Sequence, residues 1–164
     1  MTKIEIIKQK IVPIEELRRT VSIWRMKEYK IVFTNGCFDI LHHGHIDYLS
    51  KAADLGDILI VGVNSDSSVK KLNKGSNRPI QNENDRALIL SSLQFIHAIT
   101  IFNEDTPLEL IKAIQPDVLV KGGDWKENEI VGADIVKSKG GEVVIIPFVE
   151  GYSTTNIEKR IKNS

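Results

Sequence analysis

Lys30-Ile31-Val32-Phe33-Thr34-Asn35-Gly36-Cys37-Phe38-Asp39-Ile40-Leu41-His42-His43-Gly44-His45 is the stretch whose reading decides the fold. Its first five residues are rich in β-branched and aromatic side chains and read as a strand over 30–34. From Gly44 to Leu55 the apolar residues Ile46, Leu49, Ala52 and Ala53 share one face, which predicts a helix. A strand that passes through a glycine-containing loop into a helix start is the opening of a βαβ unit. The rest of the chain repeats that rhythm. Asp57 to Val63 is a nearly continuous apolar run, the pattern of a strand buried on both faces. Asn82 to Leu93 reads as a helix capped by Asn82, and His97 to Phe102 as a strand. Thr106-Pro107-Leu108-Glu109 has the form of a capping box with proline at the first helical position, so a helix is predicted to about Gln115. Asp117 to Lys121 is a strand, Ile130 to Lys139 a helix stopped by Gly140-Gly141, Glu142 to Pro147 a strand, and Thr154 to Lys162 a last helix. Five strands separated by helices predict an α/β fold, a doubly wound five-stranded parallel sheet with helices on both faces. Residues 1–28 precede this unit as a helical extension. There Pro13 to Lys27 places Leu17, Val21 and Trp24 on one stripe, which packs on the domain of residues 29–164 or on a partner subunit; the whole reads as a single globular domain.

Composition narrows the classes of function. With 164 residues, 41% hydrophobic and 27% charged, the chain can bury a sizeable core. Lys plus Arg equals Asp plus Glu at 22 each, so no overall field draws it to nucleic acid or to an anionic membrane. The single cysteine, Cys37, excludes an internal disulfide and fits a cytoplasmic location. No apolar run approaches the roughly 20 residues that span a bilayer. Met1 to Lys10 alternates charged and apolar residues and lacks the continuous apolar core of a signal peptide.

Ligands in a doubly wound sheet bind beyond the carboxyl ends of the strands, so chemistry is sought in the segments just after them. Neither G-x-x-x-x-G-K-[ST] nor a G-x-G-x-x-G after the first strand occurs. The loop after that strand leads instead into His42-His43-Gly44-His45. His42 and His45, three apart at a helix start, share a face, and Gly44 lets a ligand approach the backbone. With the free N–H groups of the helix N-terminus they make an anion cradle. On spacing alone three readings stay open: a phosphate cradle, a metal pair, or structural capping. No second cysteine and no H-E-x-x-H supports zinc.

Gly36-x-Phe38-Asp39-x-x-His42-x-Gly44-His45 resembles the H-x-G-H signature of the cytidylyltransferase-like nucleotidyltransferases. Two further motifs of that family are matched in order, Gly122-Gly123-Asp124-Trp125 after the fourth strand and Ser153-Thr154-Thr155 before the last helix, so the resemblance runs from Lys30 to about Ile161. Within the family, Phe33 to Asp39, Gly62 to Asp66, Lys74-Gly75, Arg78-Pro79 and Leu119 to Trp125 are similar to the adenylyltransferases for D-glycero-β-D-manno-heptose 1-phosphate. Glycerol-3-phosphate cytidylyltransferases share the three motifs but usually carry an arginine before the last of them, near the place where Phe148 stands here.

The resemblance implies a Rossmann-like sheet and transfer of AMP from ATP to a sugar 1-phosphate, giving ADP-heptose for lipopolysaccharide core biosynthesis. It also implies Mg²⁺ with the ATP, a homodimer, and a separate sugar kinase upstream. Magnesium keeps many waters and takes few protein ligands, so no carboxylate cage is expected. His42 and His45 are assigned to the triphosphate as catalytic donors, joined by Arg86 and by one of Lys71 and Lys74 from the basic stretch around Gly75. Nucleotide binding falls to Asn35, Gly36, Cys37, Phe38, Gly44, Lys121, Gly123, Asp124, Trp125, Ser153, Thr154 and Thr155. Asp39, Asn64 and Arg78 are assigned to the acceptor substrate. Several have a bland counterpart: Asp39 as a turn former, Arg86 and the lysines as solvated charges, Trp125 as packing, and Thr155 with Glu158 as a capping box. The alternatives are a cytidylyltransferase for glycerol 3-phosphate or another polyol or amino-alcohol phosphate, and a catalytically silent nucleotide-binding module. A stand-alone relative of class I tRNA synthetases is disfavoured by the short chain, the neutral charge and the missing K-M-S-K-S-like stretch.

Overall fold

Two hydrophobic layers, one on each face of a parallel sheet, account for the architecture. The computed structural model describes residues 1–72, 78–123 and 125–163. The strands are β1 (Ile31–Gly36), β2 (Ile58–Asn64), β3 (Ala98–Phe102), β4 (Val118–Gly122) and β5 (Glu142–Ile146). They pair in parallel in the order β3-β2-β1-β4-β5. Side chains alternate across a strand. In β1, Ile31 and Phe33 join a cluster on one face while Val32 joins the other; in β2, Ile58 and Ile60 oppose Leu59 and Val61.

The helices are α1 (Lys3–Lys8), α2 (Ile14–Met26), α3 (His43–Ala53), α4 (Asp66–Lys71), α5 (Glu83–Ser91), α6 (Leu108–Ile114), α7 (Ala133–Ser138) and α8 (Thr154–Lys162). Helices α2, α6 and α7 cover the first face through Leu17, Val21, Leu110, Ile111, Ile114, Ala133 and Val136. Helices α3 and α5 cover the second through Tyr48, Leu49, Ala52, Ala87 and Leu90. The doubly wound sheet expected from the alternating pattern is the fold observed. Both chain directions leave from the centre, β1 toward β2 and β3, β4 toward β5, so the order reverses between β1 and β4. A crevice opens at such a reversal, above the carboxyl ends of the strands.

Several local expectations are corrected. The capping box at Thr106 does not form: α6 begins at Leu108, Pro107 is its cap residue, and no side chain caps it. The helix expected from Ile130 starts only at Ala133, because Gly132 takes φ 82° and a 3₁₀ turn occupies Glu127–Glu129. Helices α1 and α4 are not predicted by the sequence pattern. Each is six residues long, too short to show a helical period, although Thr2 and Glu5 form a full capping box and Ser65 caps α4. The N-terminal segment is woven into the sheet edge. Ile11 bridges to Ile99 beside β3, Val12 N–H donates to Ile99 C=O at 2.9 Å, and Leu17 and Val21 are buried in the first-face core.

Candidate active site

The loop after β1 turns back on itself to place the start of α3. A Cβ on Gly36 would stand 2.9 Å from the Phe38 ring, so glycine is required there for the ring to fold under the loop, and Phe38 itself takes φ 48°. The ring is buried and meets His45 edge-on at 5.4 Å between centroids. The Phe38 ring therefore supports His45 from within the core. His42 is the cap residue of α3, in extended conformation and making no side-chain cap, so the helix N-terminus is left open. The His42 and His45 rings stack at 3.9 Å, and the Nδ1 atom of each is buried without a partner.

Burial holds both imidazoles neutral. It lowers His42, with the neighbouring His43 adding to the effect. It pushes His45 down to about 4, with His42 adding to the effect and the Ile40 backbone working in the opposite sense. A neutral imidazole offers one N–H donor, not a net charge.

The start of α8 meets the start of α3 at Gly44. A Cβ on Gly44 would lie 3.2 Å from both the His42 ring and Tyr152 Cβ, and the Tyr152 ring packs on His43 at 4.6 Å. Gly44 thus makes room for two side chains, a more specific reason for glycine than ligand approach alone. Ser153 caps α8 by accepting from Asn156 N–H at 3.0 Å, which replaces the expected Thr155–Glu158 box. Thr154 and Thr155 occupy the first turn.

Across the reversal, Lys121 Nζ at the end of β4 donates to Asn35 Oδ1 at the end of β1. Gly122 and Gly123 admit the Phe148 ring: a Cβ on Gly122 would lie 2.6 Å from it, and Gly123 has φ 107°. Trp125, Phe148 and Tyr152 are all exposed. Neither Phe148 nor Tyr152 is among the site residues expected from the sequence. The paired glycines at 122–123, which make space for a ring, are the signal that could have found Phe148.

Four residues assigned to ligands are instead tied into a polar belt around the carboxyl ends of β1 and β2. Arg86 is only 1% exposed. Its Nε donates to Gln81 C=O, Nη1 to Cys37 C=O, and Nη2 to Asn64 C=O and the Asp66 carboxylate, at 2.6–3.0 Å. It holds these loops together and is enclosed by them. Asn64 is buried and donates through Nδ2 to Ser68 Oγ at 3.0 Å, which ties its amide to α4. Asp39, also buried, accepts from Ile80 N–H, Gln81 N–H and Arg78 Nη1 at 2.9–3.0 Å. Burial raises its carboxyl, but those hydrogen bonds and the Arg78 charge prevail and hold it below the ordinary range. Arg78 spends its other terminal nitrogen on Glu158 at 3.0 Å. Lys71 is exposed and pairs with Asp105 at 2.9 Å. The expectations for Lys74 and Asp124 fall outside the described residues. Among the described residues, no group of three or more His, Cys, Asp or Glu side chains could hold a metal ion, and no helix is long and apolar enough to cross a membrane.

Residues 33–160 match the cytidylyltransferase-like family. The bifunctional protein HldE of Campylobacter concisus is 57% identical over 155 residues, covering 94% of this chain and 31% of that protein. HldE of Wolinella succinogenes is 52% identical over 156 residues, covering 95% and 32%. The chain spans about a third of the length of these relatives. Among solved structures, the lipopolysaccharide core biosynthesis protein of Thermoplasma volcanium superposes with TM-score 0.60 at 30% identity, over 76% of this chain and 99% of that one. A pantoate-beta-alanine ligase of Francisella tularensis shares the fold, with TM-score 0.58 at 18% identity over 93% of this chain and 76% of that one. The H-x-G-H element at the start of α3, the reversal between β1 and β4 and these matches lead to one conclusion: the chain belongs to the cytidylyltransferase-like family of nucleotidyltransferases.

Proposed function

We propose that the chain transfers AMP from ATP to D-glycero-β-D-manno-heptose 1-phosphate, giving ADP-heptose and pyrophosphate. The observation that carries the reading is the meeting of two helix N-termini at Gly44, beside two half-buried imidazoles whose buried Nδ1 atoms have no partner. Helix N-termini attract phosphate through unpaired N–H groups and the helix dipole. Stacked neutral histidines add donors without adding repelling cations to each other.

The chemistry asks little more. A phosphate oxygen of the acceptor attacks the α-phosphorus, the bond from that phosphorus to the α,β-bridging oxygen breaks, and pyrophosphate leaves with the electron pair. The nucleophile is already an anion, so no general base is required. Catalysis comes from alignment and from donors aimed at the charge that grows on the leaving group. His42, His45 and the first N–H groups of α3 would meet that charge, with Ser153, Thr154 and Thr155 on the β- and γ-phosphates. A magnesium ion would come with the ATP and neutralise part of the triphosphate charge. Similarity to the HldE proteins and to a lipopolysaccharide core biosynthesis protein supports the heptose acceptor, and a sugar kinase would supply its phosphate.

Pyrophosphate release measured with ATP or CTP, each crossed with heptose 1-phosphate or glycerol 3-phosphate, tests the assignment. Turnover is expected with ATP and heptose 1-phosphate; selective turnover of CTP overturns it. His42→Ala is expected to lower kcat by roughly 10²-fold or more while the protein stays folded. Unchanged turnover would remove His42 from the mechanism.

A further inference from the structure

Helix α8 carries Thr154 and Thr155 behind its cap Ser153, yet none of its residues is buried. Ile157 is half-buried and Ile161 lies exposed, so apolar packing does little to fix where the helix stands. A half-buried ion pair does more. Arg78 reaches Glu158 on α8 with Nη2 and Asp39 with Nη1, both at 3.0 Å, and the Arg78 side chain is 14% exposed. A planar guanidinium with two donor edges can bridge two carboxylates in fixed geometry; a lysine cannot.

The bridge continues inward. Asp39 accepts from Gln81 N–H, Gln81 C=O accepts from Arg86, and Arg86 holds Cys37 C=O and Asn64 C=O. One chain of hydrogen bonds thus runs from α8 to the loop that sets His42 and His45.

We propose that Glu158 and Arg78 are positioning residues, fixing the N-terminus of α8 against that of α3 so that Ser153–Thr155 stand where the triphosphate binds. The proposal rests on the reading that these hydroxyl residues hold phosphate. Neither Glu158 nor Arg78 touches the nucleotide; they act through the placement of α8.

Calorimetric titration of ATP with Mg²⁺ into four proteins tests it: wild type, Glu158→Gln, Thr154→Ala/Thr155→Ala and the triple variant. The threonine pair leaves the Ser153 cap in place. Glu158→Gln is expected to weaken ATP binding about tenfold with an unchanged thermal midpoint. With acceptor present, KM for ATP is expected to rise by the same factor while kcat stays within about twofold, a split that general loosening of the fold would not give. In the threonine background the same substitution is expected to cost less than about twofold more, because the groups it positions are gone. The proposal is overturned if Glu158→Gln binds ATP like wild type, if its effect multiplies fully with the threonine substitutions, or if a fallen thermal midpoint accompanies the loss. Should the threonine pair bind ATP as tightly as wild type, the phosphate reading beneath the proposal fails, and the proposal with it, whatever Glu158→Gln does.

Discussion

At the scale of single residues, the most consequential property is the neutrality of His45. Burial lowers its pKa from the ordinary 6.5 to about 4 in the folded protein, while the unfolded chain keeps the ordinary value. Between those two values the unfolded state binds the proton more readily. His45 therefore contributes stability that is present above pH 6.5 and lost as pH falls toward 4. The slope of thermal midpoint against pH over that range should flatten in His45→Asn, and an NMR titration of the wild-type ring should show a midpoint near 4. His42, Gly44 and His45 were legible in the sequence because their spacing at a strand-to-helix junction already specifies a shared face. The placements of Asp39, Asn64, Arg78 and Arg86 were not. A sequence shows that a residue is charged and near a motif, but not whether it turns toward the crevice or back onto the carbonyls of its own loops.

At the scale of elements, the strands were legible to within two residues, since continuous apolar runs between turn residues leave little choice of boundary. Of the six-residue helices, α7 was marked by its Gly140-Gly141 stop, whereas α1 and α4 span fewer than two turns and show no period. Elements also depend on one another in ways that periodicity does not record. Arg86 on α5 joins the loop after β1, the end of β2 and the start of α4. Replacing it with methionine would remove the donor that Asp66 and the carbonyls of Gln81, Cys37 and Asn64 share. Arg86→Met is expected to cost about 3 kcal/mol in urea unfolding and to lower turnover through the released Cys37 loop. A loss below about 1 kcal/mol would show that water replaces those hydrogen bonds freely.

At the scale of the whole molecule, the N-terminal segment is anchored in the core through one face of α2. Leu17 is fully buried with Phe33 and Ile60, and Lys10 C=O and Val12 N–H bond to Ile99 at the outer edge of β3. Leu17→Ala is expected to destabilise the protein by about 3 kcal/mol, and so to lower the thermal midpoint by roughly 6–12 °C. A midpoint unchanged within about 2 °C would mean that α2 can leave without disturbing the sheet. The strand order carries a different message, about the sequence of events as the chain folds. Val32 can find Leu59 across a single crossover, but on its other side it must wait for Val118. The first three strands can therefore pair before the rest of the chain is in place, leaving β1 as a temporary open edge. The crevice comes into being only when β4 docks there, and until then its two histidines guard an unfinished doorway.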